Sequence, residues 1–143
     1  QRSDKYLDEE QTFKLKPDLW LKTEHHSLIA DTKYKIVYSD DKDPKKGISQ
    51  NDLYQMLAYA VRFEVDEIIL FYPNTVSQNQ EEETELTIKD ALANEKEISV
   101  RAVQLPIINR QLLDHDFDTK LSLRDLFEST RIGLIERLEK LLT

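Results

Sequence analysis

No cysteine occurs in these 143 residues, which excludes a disulfide framework and any thiolate-held metal. That fits a reducing compartment, and a cytoplasmic protein is the expectation. Glycine is nearly as scarce, at two residues, so there is no glycine-rich loop to cradle nucleotide phosphates, and GTP or ATP hydrolysis does not reside in this chain. No cysteine or serine nucleophile arrangement is visible. No apolar run approaches the ~20 residues of a membrane span, and no signal-peptide pattern precedes the polar opening "QRSDKYLDEEQ". Without an initiating methionine, the chain reads as one domain, 1–143, cut from something longer.

An excess of positive charge is also lacking, since the formal net charge is -8. The distribution matters more than the sum. Residues 1–50 hold ten Lys+Arg and ten Asp+Glu, and residues 51–143 hold ten and eighteen, so the negative excess lies entirely in the second part. Lys14, Lys16, Lys22, Lys33, Lys35, Lys42, Lys45 and Lys46 gather in the balanced part. They suit either an anionic partner or ordinary solvation.

What is present is an alternation of strand and helix periods. "TFKLKPDLWL" reads as a strand, "KTEHHS" as a turn and "LIADTKYKIVY" as a second strand, together an antiparallel hairpin. After the loop "SDDKDPKKG", Leu53, Met56, Leu57, Ala60 and Val61 recur at helical spacing behind Ser49 and Asp52, an imperfect capping box. "EIILFYP" is apolar nearly throughout, as in a strand buried on both faces at the middle of a sheet. Two weaker strands, near Leu86–Lys89 and Ile98–Leu105, are expected to pair at the sheet's edge. A long amphipathic helix from Ser122 closes the chain, with Gly133 its weak point. Its stripe of Leu123, Leu126, Phe127, Leu134, Leu138, Leu141 and Leu142 is expected to be core, so that Phe127→Ala would cost on the order of 3–5 kcal/mol, the alternative being a face that binds a partner subunit, where the same change would spare stability.

The hairpin carries charges that a purely structural strand would avoid. In "LIADTKYKI", Leu28, Ala30, Thr32, Tyr34 and Ile36 share one face, and Ile29, Asp31, Lys33 and Lys35 the other. One face is expected to pack and the other to carry chemistry. Asp31 and Lys33 would stand roughly 6–7 Å apart, within reach of one phosphate or water, and the hairpin can bring Asp18 across to Asp31. An Asp-x-Lys on a strand is also the pattern of a solvated, salt-bridged face. Two facing carboxylates repel, however, unless a cation sits between them, and hard oxygen ligands suit Mg²⁺. Removing Asp31 or Lys33 is expected to cost the fold little. On the helix that follows, Gln55 and Tyr59 are i and i+4, beside the apolar stripe.

"KPDLWL", "IADTKYK" and "DLYQMLAYA", in that order, resemble the motifs of the PD-(D/E)xK nuclease superfamily. Asp18 matches the first acid, Asp31 the second and Lys33 the lysine, and Gln55 to Tyr59 resembles the Q-x-x-x-Y motif of the RecB-like branch. Over Phe13 to Pro73 the chain is similar to the McrC family, the nuclease subunits of McrBC-type modified-cytosine restriction systems. The resemblance implies an α/β fold with a three-layer α/β/α, restriction-endonuclease-like core and mixed sheet, forming the C-terminal nuclease domain of a longer chain. It implies an endodeoxyribonuclease that uses Mg²⁺, or Mn²⁺ in its place, and works with a McrB-like AAA+ GTPase subunit. Asp18, Asp31 and the Thr32 carbonyl would hold the metal. Lys33 would handle the attacking water, Gln55 and Tyr59 would position substrate, and Lys16, Lys35, Lys45 and Lys46 would contact DNA. The alternatives are a RecB- or Cas4-like exonuclease and a catalytically silent scaffold that regulates the GTPase.

The remaining polar clusters carry less. His25 and His26 are adjacent in a turn and cannot easily aim at one metal. His115 with Asp114, Asp116 and Asp118 lacks the glycine and terminal glutamate of a calcium loop.

Overall fold

Two short strands, Lys5–Tyr6 (β1) and Lys14–Leu15 (β2), pair antiparallel into a ribbon at the start of the chain. The structure, a computed structural model, describes residues 4–35, 43–45, 47–75, 81–90, 95–113 and 122–142. Leu19–Lys22 (β3) and Ser27–Thr32 (β4) form the antiparallel hairpin that the sequence announces. Helix α1, Gln50–Phe63, then crosses over to Glu67–Pro73 (β5), which runs parallel to β4 as such a crossover requires. Glu83–Asp90 (β6) and Lys96–Leu105 (β7) make a second antiparallel pair, a 3-10 turn occupies Arg110–Leu113, and helix α2 spans Leu123–Leu142. The five-stranded sheet has the order β3-β4-β5-β7-β6 and is mixed.

Strand β5 lies at its centre, with Ile68 to Tyr72 all buried. Alternation divides the core in two. Ile29, Ile68, Leu70, Tyr72, Ile98 and Val100 meet Met56, Tyr59, Ala60 and Phe63 of α1, and on the opposite face Leu28, Ala30, Ile69, Phe71 and Val103 meet Leu134, Leu138, Leu141 and Leu142 of α2. Both helices start as their sequences direct. Ser49 Oγ accepts the Asp52 N–H at 3.2 Å, and Ser122 and Asp125 exchange bonds of 3.2 Å in a capping box. Helix α1 ends at Glu64, in the left-handed region at φ 57°, with its N–H on the Ala60 carbonyl.

Several expectations are corrected. Residues 12–21 are not one strand, because the ladder breaks at 16–18, where Pro17 has no N–H to give. Strand β4 stops at Thr32, so Lys33 and Lys35 lie beyond it, and its two faces both pack. Strand β7 is interior, between β5 and β6, and of that pair only β6 is an edge. The buried side of α1 is rotated from the expected stripe: Tyr59 is 3% exposed and Val61 51%. In α2, Leu123 and Phe127 are not core, at 77% and 71% exposed, and the inward row is Leu126, Leu134, Leu138 and Leu141.

Candidate functional site

The polar residues singled out in the sequence converge where β4 leaves the sheet. The β3–β4 register pairs Leu19 with Ala30, and continuing it would set Pro17 opposite Thr32 and Asp18 opposite Asp31. Pro17 has no N–H to offer the Thr32 carbonyl, and the Thr32 N–H goes instead to the Asp18 carboxylate. Asp18 Oδ2 accepts that N–H at 2.7 Å and the Thr32 hydroxyl at 2.5 Å. The Thr32 hydroxyl and N–H hold the Asp18 carboxyl below its ordinary pKa, against slight burial and with help from the Lys33 charge.

Asp31 is buried on the α1 side of β4. A buried carboxylate needs a partner, and Lys33 Nζ supplies it at 2.5 Å. The same ammonium donates to Gln55 Oε1 at 2.6 Å, and Gln55 Nε2 donates to the Tyr59 hydroxyl at 2.9 Å. Asp31, Lys33, Gln55 and Tyr59 thus form one hydrogen-bonded line from strand to helix. Burial, then the Asp31 charge, raise the Tyr59 pKa, opposed by the Gln55 bond, so the phenol keeps its proton. Removing Lys33 would strand a buried charge. The expectation that these charges could be deleted cheaply is therefore corrected.

Lys35 does not extend freely. Its ammonium pairs with Asp52 and donates to Ser49 Oγ at 3.0 Å, and Asp52 Oδ2 also accepts the buried Tyr72 hydroxyl at 3.1 Å. Lys33 and Lys35 therefore tie the end of β4 to the first turns of α1 at two points. Sequence reasoning assigns Asp52 only to a cap and Tyr72 only to the core. A lone hydroxyl in an otherwise apolar strand is the available signal for Tyr72. Lys16 is exposed beside Pro17, and Lys45 is exposed on a turn in which Asp43 Oδ1 accepts the Lys45 N–H at 2.9 Å. Lys42, Lys46 and the stretch from Asp114 to Asp118 lie outside the described residues. His26 Nε2 lies 2.5 Å from Glu67 Oε2, at the other end of β5.

Among the described residues, no group of three or more His, Cys, Asp or Glu side chains is gathered to hold a metal ion. The oxygen donors singled out at this end of β4 are two carboxylates, Asp18 and Asp31, and the Thr32 carbonyl. No described helix is long and apolar enough to cross a membrane.

Fold and site together define a mixed α/β protein with an acid–lysine–amide–phenol assembly where a parallel strand leaves the sheet. Residues 1–73, just over half of the chain, match the McrBC 5-methylcytosine restriction system component family, and the chain belongs to it. All five residues of the assembly, Asp18 included, fall within that match, and the family ties the chain to McrBC-type restriction and to a McrB-type partner. No curated protein matches the chain.

Proposed function

We propose that this chain is the DNA-cutting component of its restriction system, a metal-dependent endodeoxyribonuclease with a three-layer PD-(D/E)xK core, driven by a McrB-like AAA+ GTPase. The observation that carries the reading is the line Asp31–Lys33–Gln55–Tyr59 beside an Asp18 locked to Thr32. A helix on each face of the sheet supports the three-layer core. An all-oxygen donor set with few protein ligands fits Mg²⁺, with Mn²⁺ able to replace it, better than zinc. Asp18, Asp31 and the Thr32 carbonyl would hold the ion, which when bound supplies charge to offset the phosphate and to acidify water.

The protein's own groups do the rest. Asp31 fixes the Lys33 ammonium at the mouth of the site, where it can orient the attacking water and stabilise negative charge on the phosphate oxygens. Gln55 holds Lys33 from the helix side. The protonated Tyr59 hydroxyl, already accepting from Gln55, has its proton to donate to a phosphate oxygen. Water adds to phosphorus and gives up a proton, one P–O bond of the DNA backbone breaks, and the departing sugar oxygen takes up a proton from solvent.

Cleavage of methylated plasmid by the chain with its GTPase partner, GTP and Mg²⁺ tests this. Asp31→Asn and Lys33→Gln, milder than alanine at buried positions, should each abolish cutting while the proteins still melt cooperatively. A folded variant that cuts at the wild-type rate overturns the assignment.

A further inference from the structure

Beside Pro17 a cavity of about 250 Å³ opens under the β1–β2 ribbon. Lys5, Lys14, Lys16 and the Asp4 carboxylate line it, together with Leu15, Pro17, Trp20 and Phe63. Lys14 is 2.5 Å from Asp4. Lys5 and Lys16 have no ion-pair partner among the described residues, and Lys22 Nζ adds a further cation 6.0 Å from the Trp20 ring centroid. The indole is held rigidly. The Phe63 ring stands nearly perpendicular to it, centroids 5.0 Å apart at 76°, and the indole Nε1 donates to Ser27 Oγ at 3.3 Å. A fixed aromatic surface with two lysines beside it that are unpaired among the described residues, and Asp4 already neutralised by Lys14, is what a nucleotide needs, a π-face for the base and cations for the phosphate.

The position is as telling as the composition. Lys16 and Pro17 directly precede Asp18, and Phe63 follows Tyr59 by one turn of α1, their rings 6.2 Å apart. One turn is about 5.4 Å, roughly one to two nucleotide steps along a strand. We propose that this cavity seats a nucleotide of the DNA strand beside the phosphodiester that is cut, its base against Trp20 and its phosphate between Lys5 and Lys16. The proposal rests on the nuclease reading for its substrate but concerns binding alone.

Trp20 is the sole tryptophan, so intrinsic fluorescence reports on this cavity directly. The Asp31→Asn protein, which should hold DNA without cutting it, is titrated with a single strand of about 12 nucleotides, and anisotropy of a labelled strand is followed in parallel over a range of salt. Saturable quenching is expected. Lys5→Ala/Lys16→Ala should weaken binding at least ~10-fold and flatten the plot of log K against log salt by roughly 0.7, the value for the one phosphate charge left unneutralised. Should the double variant fail to fold, Lys16→Glu on the exposed lysine gives the same sign alone. Absent quenching, or a folded variant with unchanged affinity and salt slope, overturns the proposal. Normal quenching in a wild-type protein that never cuts DNA overturns the nuclease reading and upholds the subsite.

Discussion

Asp52→Ala offers a test of how the site is braced, because each consequence can be worked from the geometry. The substitution takes away the carboxylate that accepts the Tyr72 hydroxyl, which lies on a residue 2% exposed. A stranded buried hydroxyl costs about 1–3 kcal/mol. It also removes a negative charge from the first turn of α1, worth about 0.3–1 kcal/mol. The Lys35 pair adds little, since that side chain is 42% exposed and can turn its ammonium to water. The total is about 1–4 kcal/mol. Adding Tyr72→Phe removes the stranded hydroxyl, so the double variant should regain about 1–2 kcal/mol over Asp52→Ala alone. Urea melts at equal m-value measure this. Losses that simply add would refute the reasoning. The sign with pH follows too. Burial pushes the Asp52 carboxyl up, but Lys35, Ser49 and Tyr72 together hold it below its ordinary value. A folded pKa below the unfolded one gives stability that is complete above about pH 4 and lost as pH falls through the folded value. The gap between wild type and Asp52→Asn should therefore narrow in acid.

Phe127→Ala should change stability by no more than about 0.5 kcal/mol, because the ring is 71% exposed; a loss of about 3 kcal/mol in a thermal melt would return it to the core. Gly133→Ala should stabilise α2 by about 0.5–1 kcal/mol, since an added Cβ meets nothing within 4 Å, and a lowered melting temperature would contradict that. Mg²⁺ at about ten times its Kd should raise stability by about 1.4 kcal/mol through mass action, and much less in Asp31→Asn; equal shifts in the two proteins would remove Asp31 from the proposed metal site.

Strand β5 and helix α1 were legible because their signals are local: a closed apolar run in one, a 3.6-residue period behind Ser49 in the other. The hairpin was legible for the same reason, and with it a place for Asp18 at the end of β4, where its carboxylate takes the Thr32 N–H and hydroxyl. What local pattern could not tell is which of two apolar faces a helix turns inward. Helix α2 carries Leu126, Leu134, Leu138 and Leu141 along one side and Leu123, Phe127, Ile132 and Ile135 elsewhere, and only the sheet's own surface chooses between them. Nor could it reveal that Lys35 meets Asp52, or that Asp52 meets Tyr72, since those partners lie 17 and 20 residues apart in the chain. The same holds for Pro17: its presence was plain, but that it frees a carbonyl opposite depends on register.

The central position of β5 constrains how the chain can be divided. The family match ends at Pro73, and every residue from Glu67 to Pro73 is paired with β7, which comes later in the chain. A protein shortened to the matched segment would keep all five site residues but bare one full edge of Ile-Ile-Leu-Phe-Tyr. An uncharged, β-prone edge of that length is a template for intermolecular pairing. Such a fragment should sediment as aggregate, so the residues that bear the candidate chemistry cannot be separated from the later strands that keep them dispersed.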